Sequence, residues 1–386
     1  MNAPLPIYLD HNATTPLEPA VFEAMRPYFL EHFGNPSSID HIYGQAAAGA
    51  IQRAREQVAA AIGAQTSEII FTGSCTESEN MAILGVARAL TARGHFITSQ
   101  IEHPAVLEAF RQLEREGHSV TALPVDDTGQ IRLDELEAAF RPETALVSIM
   151  GANNEVGTLQ PLMQISELCS QRGVLLHADL AQMPAYLPID VSKLGVDMAS
   201  FSGHKIYGPK GVGALYLRRR RPRTRLAPLL FGGGQENALR PGTLNTPLIV
   251  GMGAAMQFSK EHLTRTASHV NACSQRLLAS LCEGIDGVQV NGHPTERLPN
   301  NLAISIEGIE PLALMRLLRE QVAFSASSAC ATETVETSHV LLAMFGETAR
   351  ARNSFRLSAG RHTALSDITN AAQHIVEGVY RLRQMG

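Results

Sequence analysis

The sequence predicts an α/β protein of two domains: a large one built on a mostly parallel sheet, and a smaller α+β domain packed on it. Three observations carry this. Over the first two-thirds of the chain, short apolar runs alternate with amphipathic helical stretches, the pattern of a parallel sheet covered on both faces. After about Thr246 that alternation stops and a long helical stretch takes over. Finally, Asp179 follows one apolar run and Lys205 stands just past the next, at the strand ends where such sheets gather ligands.

The strands expected in the alternating region are 68–72, 95–98, 120–123, 145–150, 174–178, 198–201 and 213–217. Helices are expected between most of them, at 46–62, 76–93, 105–117 and 162–172. Beyond Thr246 a single long helix is expected over 248–282, then a turn at Asn291-Gly292 and strands at 302–306 and 322–325. Further helices are expected at 311–320, 338–345 and 366–383. The division places 15–258 in the large domain, and 1–14 with 259–386 in the small one.

A chain of 386 residues is comfortable for two packed domains. The net charge of −5 gives no global attraction to nucleic acid. No apolar run approaches a membrane span, and Met1-Asn-Ala-Pro-Leu-Pro6 lacks the basic and apolar regions of a signal peptide, so the expected location is the cytoplasm. The five cysteines, Cys75, Cys169, Cys273, Cys282 and Cys330, are odd in number and contain no C-x-x-C pair. Neither a disulfide framework nor a structural zinc site is expected. The histidines show no metal-ligand spacing.

Lys205 and Asp179 together suit pyridoxal 5'-phosphate. A lysine can hold the aldehyde as a Schiff base, an acid can keep the pyridinium nitrogen protonated, and the cofactor then works as an electron sink. Gly73-Ser-Cys-Thr-Glu-Ser78 follows a strand and opens a helix. Helix N-terminal amides suit a phosphate, with Thr76 adding a hydroxyl. The same segment also reads as a capping box, with Thr76 capping and Glu79 reciprocating. Ser202, Gly203 and His204 precede Lys205 and bring polar groups towards the same anion. His103, between a strand and a helix, reads either as a satisfied loop histidine or as a ring that stacks on a planar cofactor and moves protons.

Cys330 lies among small polar residues, the composition of a loop that can expose a thiol nucleophile; an inert loop cysteine is the plainer reading. Cys169, Cys273 and Cys282 fall in helical patterns and read as packing residues. Arg356, in the strand-like run Ser354–Ser358, reads as a fork for a carboxylate or as an ion-pair partner. Six arginines between Arg218 and Arg225 read as a solvated turn, because no aromatic residue is interleaved for base stacking. Direct nucleic-acid binding is not expected.

With these residues assembled, the chain closely resembles the cysteine desulfurases of the nitrogenase-maturation and iron–sulfur-assembly type, within the class V aminotransferase family. The motifs match in order: Tyr8–Pro16, Phe33–Ser38 with His41, Glu102-His-Pro104, Asn153-Asn-Glu155, Ser202-Gly-His-Lys205 and Ser328-Ala-Cys330. The resemblance implies a fold-type I pyridoxal phosphate transferase that acts on L-cysteine as a homodimer. It implies the Schiff base for Lys205, the pyridinium nitrogen for Asp179, the ring hydroxyl for Gln182 and ring stacking for His103. It implies phosphate contacts for Cys75, Thr76, Ser202, Gly203 and His204, and for Thr243 a contact to the other subunit's cofactor phosphate. Asn154 and Arg356 hold the substrate carboxylate in this scheme. Cys330 becomes a persulfide, L-alanine leaves, and a sulfur-acceptor protein receives the sulfur for iron–sulfur assembly or nucleic-acid thiolation.

The chain departs from the family pattern at Ser327 and Ala238, where glycine is usual, at Asn237, where arginine is common, and at 331–334. It also ends soon after Arg383, where housekeeping relatives carry a tail that docks an iron–sulfur scaffold, so a specialised acceptor becomes plausible. A selenocysteine lyase or aminotransferase-like relative is the alternative within the fold. A scaffold without activity in a sulfur-relay complex is the alternative outside enzymes.

Overall fold

Two sheets of different construction organise the chain in this computed structural model, which describes residues 5–219, 224–326 and 337–385. A short first strand, β1 (Ile7–Tyr8), precedes the large sheet. That sheet comprises β2 (Ile69–Thr72), β3 (His95–Ser99), β4 (Ser119–Leu123), β5 (Thr144–Ser148), β6 (Leu175–Asp179), β7 (Met198–Ser202) and β8 (Gly213–Leu217). Its order is β2-β8-β7-β6-β5-β3-β4, and only β8 runs against its neighbours.

Both faces of this sheet are buried, as the continuous apolar runs require. Side chains alternate along each strand. Ile69, Phe71, Ile97, Val147 and Leu176 enter one core, under the helices Ile42–Ile62 and Thr246–Glu261. Ile70, Phe96, Leu146 and Met198 enter the other, under Cys75–Ala89 and Pro104–Arg115.

The smaller sheet is antiparallel. Its strands are β9 (Val288–Val290), β10 (Asn301–Ile306), β12 (Ser325–Ala326) and β13 (Ser354–Ser358), in the order β12-β13-β10-β9. The intervening β11 (Val322–Ala323) pairs in parallel with β1 instead. This pairing carries the N-terminal segment into the small unit, where Leu9 joins a core of Leu302, Ile304, Phe355 and Leu357. Among the described residues, no helix is long and apolar enough to cross a membrane.

Three local details differ from the sequence expectation. The helix expected over 248–282 is two helices, Thr246–Glu261 and Leu263–Gly284. The break falls at His262, whose ring stacks on Phe258 at 4.1 Å while its Nδ1 lies 3.0 Å from the Phe258 carbonyl. Apolar spacing continues across the break, so periodicity does not reveal it. The run 322–325 divides at Phe324 between two sheets. The cap of the helix Cys75–Ala89 is Ser74, which accepts the Glu77 N–H at 3.1 Å, while the Glu77 carboxylate accepts the Gly73 N–H at 2.6 Å. Thr76 and Glu79 take no part in that box. Thr76 is exposed and Glu79 is buried.

Glu236, Asn237 and Ala238 form a left-handed turn, with φ of 47°, 59° and 62°. It is held from outside. The Glu236 carboxylate takes both ends of the Arg55 guanidinium, at 2.8 and 2.5 Å, and the Phe71 N–H at 2.9 Å. A side chain in this conformation costs about 1–2 kcal/mol, and glycine's extra chain entropy offsets about 0.5–1 kcal/mol of any relief. Ala238→Gly is therefore expected to stabilise the protein by up to about 1 kcal/mol, read as a higher unfolding temperature. An unchanged or lower temperature contradicts the account.

Candidate active site

The carboxyl ends of β3, β5, β6 and β7 lie side by side at one edge of the large sheet. Just inside that edge, His177 Nδ1 meets Ser148 Oγ and its Nε2 meets Ser200 Oγ, both at 2.8 Å. Burial lowers the His177 pKa to about 4, so this ring is neutral and serves as a cross-strand tie. Asp179 closes β6, and its Oδ1 accepts the Ala181 N–H at 2.9 Å. Ser202 closes β7 and is buried. The chain then turns through Gly203–Lys205. A Cβ on Gly203 would sit 2.7 Å from the Pro209 carbonyl oxygen, so only glycine suits this turn.

Asn12 ties the site together. Its backbone carbonyl accepts both Lys205 Nζ–H and, at 3.0 Å, Gln182 Nε2–H. Its side-chain amide donates to Gln182 Oε1 at 3.2 Å, and its Oδ1 accepts Asn300 Nδ2–H at 3.0 Å. Its own N–H donates to Ser358 Oγ at 2.9 Å. One residue of the N-terminal segment thus joins the loop after β6, the turn after β7 and strand β13.

β13 alternates. Phe355 and Leu357 point into the small core, which sends Ser354, Arg356 and Ser358 to the opposite face. Arg356 is 2% exposed. It donates through Nη1 to the Asn154 carbonyl at 2.7 Å, and through Nη2 to Asp10 Oδ1 at 2.7 Å and Ser325 Oγ at 3.2 Å. Its Nε is buried with no partner among the described residues.

The electrostatics follow from burial. Lys205 is lowered to about 8, first by burial, then by the Arg356 charge, with Asp179 opposing. A neutral amine is therefore within reach at ordinary pH. His204 falls to about 4, chiefly by burial and then by the Lys205 charge; its Nδ1 lies 3.1 Å from Thr14 Oγ1. His103 caps the helix Pro104–Arg115, and its Nδ1 accepts the Ala105 N–H at 3.2 Å, which places the neutral ring's proton on Nε2. Burial holds its pKa below the ordinary value, with Asp179 pulling the other way.

The structure brings Lys205, Asp179, His103, His204, Cys75 and Arg356 into one field of mutual charge interaction. Cys75 and Thr76 open the helix beside them. Thr243 is exposed in the segment before the helix Thr246–Glu261. Cys330 and Ser327 lie outside the described residues, as do 220–223 of the arginine run.

Sequence reasoning gave no site role to Asn12, Asp10, Glu79 or Glu102, reading Glu79 only as a helix-capping residue and Glu102 only as part of the Glu102-His-Pro104 motif. Asn12 and Asp10 stand inside the Tyr8–Pro16 motif, and that was their only signal. Glu79 and Glu102 are each followed or preceded by ordinary helix-start residues, and nothing local marks them as buried.

This donor set fits pyridoxal phosphate. It offers an amine of depressed pKa for an aldehyde, a buried carboxylate for a ring nitrogen, and a helix N-terminus flanked by glycines for a phosphate. A class-V aminotransferase family model matches residues 7–370, and the chain belongs to that pyridoxal-phosphate-dependent family. The relatives place it further. A cysteine desulfurase of Homo sapiens is 45% identical over 381 residues, covering 98% of this chain and 83% of that protein. Among solved structures, a NifS-like protein superposes with a TM-score of 0.91 at 36% identity, covering 97% of this chain and 100% of its own. SspA in complex with cysteine gives a TM-score of 0.82 at 39% identity, covering 92% and 99%. Within the family, the chain stands in the cysteine desulfurase branch.

Proposed function

We infer that this protein removes sulfur from L-cysteine, releases L-alanine and passes the sulfur to an acceptor. One observation carries the reading: the buried Lys205 amine feels both the Asp179 carboxylate at the end of β6 and the Arg356 guanidinium of β13, and its pKa is lowered to about 8. Bound pyridoxal phosphate supplies an electron sink beside the substrate Cα. Asp179 would keep the ring nitrogen protonated, Gln182 would hold the ring hydroxyl, and His103 would stand against the ring. Cys75, Thr76, Ser202, Gly203 and His204 would receive the phosphate.

Arg356 has five N–H donors, and three are occupied by Asn154, Asp10 and Ser325. The unpartnered Nε–H is left to meet the substrate carboxylate, with Asn154 alongside. Lys205 removes the Cα proton and returns it later. His103 handles the thiol proton. The thiolate of Cys330 attacks the substrate sulfur. An S–S bond forms, the Cβ–S bond breaks, and the released electron pair is protonated at carbon to leave L-alanine. Thiol exchange then delivers the persulfide sulfur to an acceptor protein, for iron–sulfur assembly or nucleic-acid thiolation.

Two features support a homodimer. Thr243 is exposed, as a residue serving the other subunit's cofactor phosphate must be. Phe22, Phe29, Leu30, Phe33 and Ile42 are also exposed in one stretch of chain, a concentration of apolar side chains that a partner surface would cover. We assign 15–258 to the cofactor-binding domain and 1–14 with 259–386 to the small domain. We place the protein in the cytoplasm, where thiols such as the free Cys75, Cys169, Cys273 and Cys282 stay reduced.

The test is product analysis with L-cysteine and a thiol reductant. Alanine and sulfide are expected in equal amounts. Cys330→Ala is expected to keep the absorbance of bound cofactor and lose turnover; full activity in that variant overturns the persulfide route.

A further inference from the structure

Glu79 has no place in the scheme above, yet it is buried beside the centre of it. It lies one turn into the helix Cys75–Ala89, on the face turned towards β6, and is 1% exposed. Its Oε1 accepts the Cys75 thiol at 3.4 Å. Ligand atoms of Cys75, Glu79 and Asp179 all fall within 4.8 Å of one another. Glu79 Oε2 is buried with no hydrogen-bond partner among the described residues. The capping box that engages its neighbour Glu77 leaves Glu79 out.

Two carboxylates this close in a buried setting do not both ionise; they share a proton, and their surroundings decide which keeps it. Asp179 has a backbone donor in Ala181 and the Lys205 charge nearby. Glu79 has neither. The titratable groups that act on it most are Asp179 on β6, Cys75 on its own helix and Glu102 on the loop after β3, with the Lys205 cation on the far side of Cys75 and Asp179. Burial and then the Asp179 charge push its pKa well above the usual carboxyl range.

We propose that Glu79 is a positioning residue: a neutral carboxylic acid that donates its Oε2 proton to the Asp179 carboxylate, so that Asp179 alone carries the pair's charge and is held in place to meet the cofactor's pyridine nitrogen. The Cys75 thiol, donating to Oε1, orients the acid. This inference rests on the role given to Asp179 above. Glu79 itself touches no reacting atom. It acts by setting the charge and orientation of the residue that does.

The test uses the full-length protein and two variants. Infrared difference spectra between wild-type holoenzyme and Glu79→Gln at neutral pH are expected to show loss of a protonated-carboxyl stretch. Loss of a carboxylate stretch instead means Glu79 is ionised and overturns the proposal. Cofactor dissociation constants, from fluorescence quenching of apo-protein, give the second readout. Glu79→Gln keeps a neutral donor and is expected to stay within about 2-fold of wild type, whereas Glu79→Met fills the space without a donor and is expected to bind at least about 10-fold more weakly. Equal affinity in the two variants reduces Glu79 to packing and also overturns the proposal. If Glu79→Met does not fold, the infrared measurement on Glu79→Gln still decides. Asp179→Asn separates the two readings: undiminished cofactor affinity there removes the role of Asp179, while the infrared result continues to report where the proton sits.

Discussion

Lys205→Ala is expected to lower turnover of L-cysteine by about 10²–10⁴-fold, the range set by removing a positioned proton-transfer group. The side chain is buried, its amine donates to the Asn12 carbonyl, and its pKa is lowered to about 8. Each fact fits a base and none fits a surface charge. The same depression gives a pH signature in the apo-protein. Capture of the aldehyde needs the neutral amine, so the rate of cofactor capture is expected to rise about tenfold per unit as pH increases, then level off near 8. A rate that keeps climbing towards the ordinary lysine value of about 10.4 shows that burial does not tune this residue. A Lys205→Ala protein with turnover near wild type removes it from the mechanism.

Arg356→Met is expected to damage both stability and substrate use. The guanidinium is 2% exposed and pairs with Asp10 at 2.7 Å. Methionine keeps the apolar stem but leaves Asp10 without its partner, at a cost of about 3–5 kcal/mol. It also removes the Nε–H left to meet the substrate carboxylate. Charged hydrogen bonds of about 1.5–3 kcal/mol correspond to a loss of roughly 10- to 100-fold in kcat/KM. The two effects separate in the double variant Asp10→Asn with Arg356→Met. Neutralising the stranded acid is expected to recover much of the unfolding free energy while kcat/KM stays low. Recovery of both means Arg356 acts only as an ion-pair partner, the plainer of the two readings its sequence context allows.

Much of the architecture is legible in local pattern. Runs such as Ile69–Thr72 are apolar on both faces, which is what a doubly covered parallel sheet imposes. The alternation of Ser354–Ser358 even shows which way Arg356 points. What escapes local pattern is where a helix breaks without losing its apolar phase, as at His262, and where one extended run serves two sheets, as at Phe324. The left-handed turn at Glu236–Ala238 escapes too, because it is imposed by Arg55 and the Phe71 amide rather than by its own residues.

The candidate site divides in the same way. Lys205, Asp179 and His103 announce themselves by residue type at strand ends, and Arg356 by its place in the alternation of β13. Asn12 and Glu79 do not. Asn12 matters because partners 170, 193, 288 and 346 residues away converge on it. Glu79 matters because the helix packs it beside Asp179 with its Oε2 unpartnered among the described residues.

By itself, then, the sequence determined which chemical groups this protein owns and which sheet carries them, since side-chain identity and period-2 burial are properties of short stretches of chain. Only the tertiary structure decided their charge states: a lysine whose pKa is drawn down to about 8, a histidine with its proton on Nε2, an acid pushed well above the usual carboxyl range. Those states depend on removal from water and on charges a few ångströms away, and both are supplied by segments far apart in the chain.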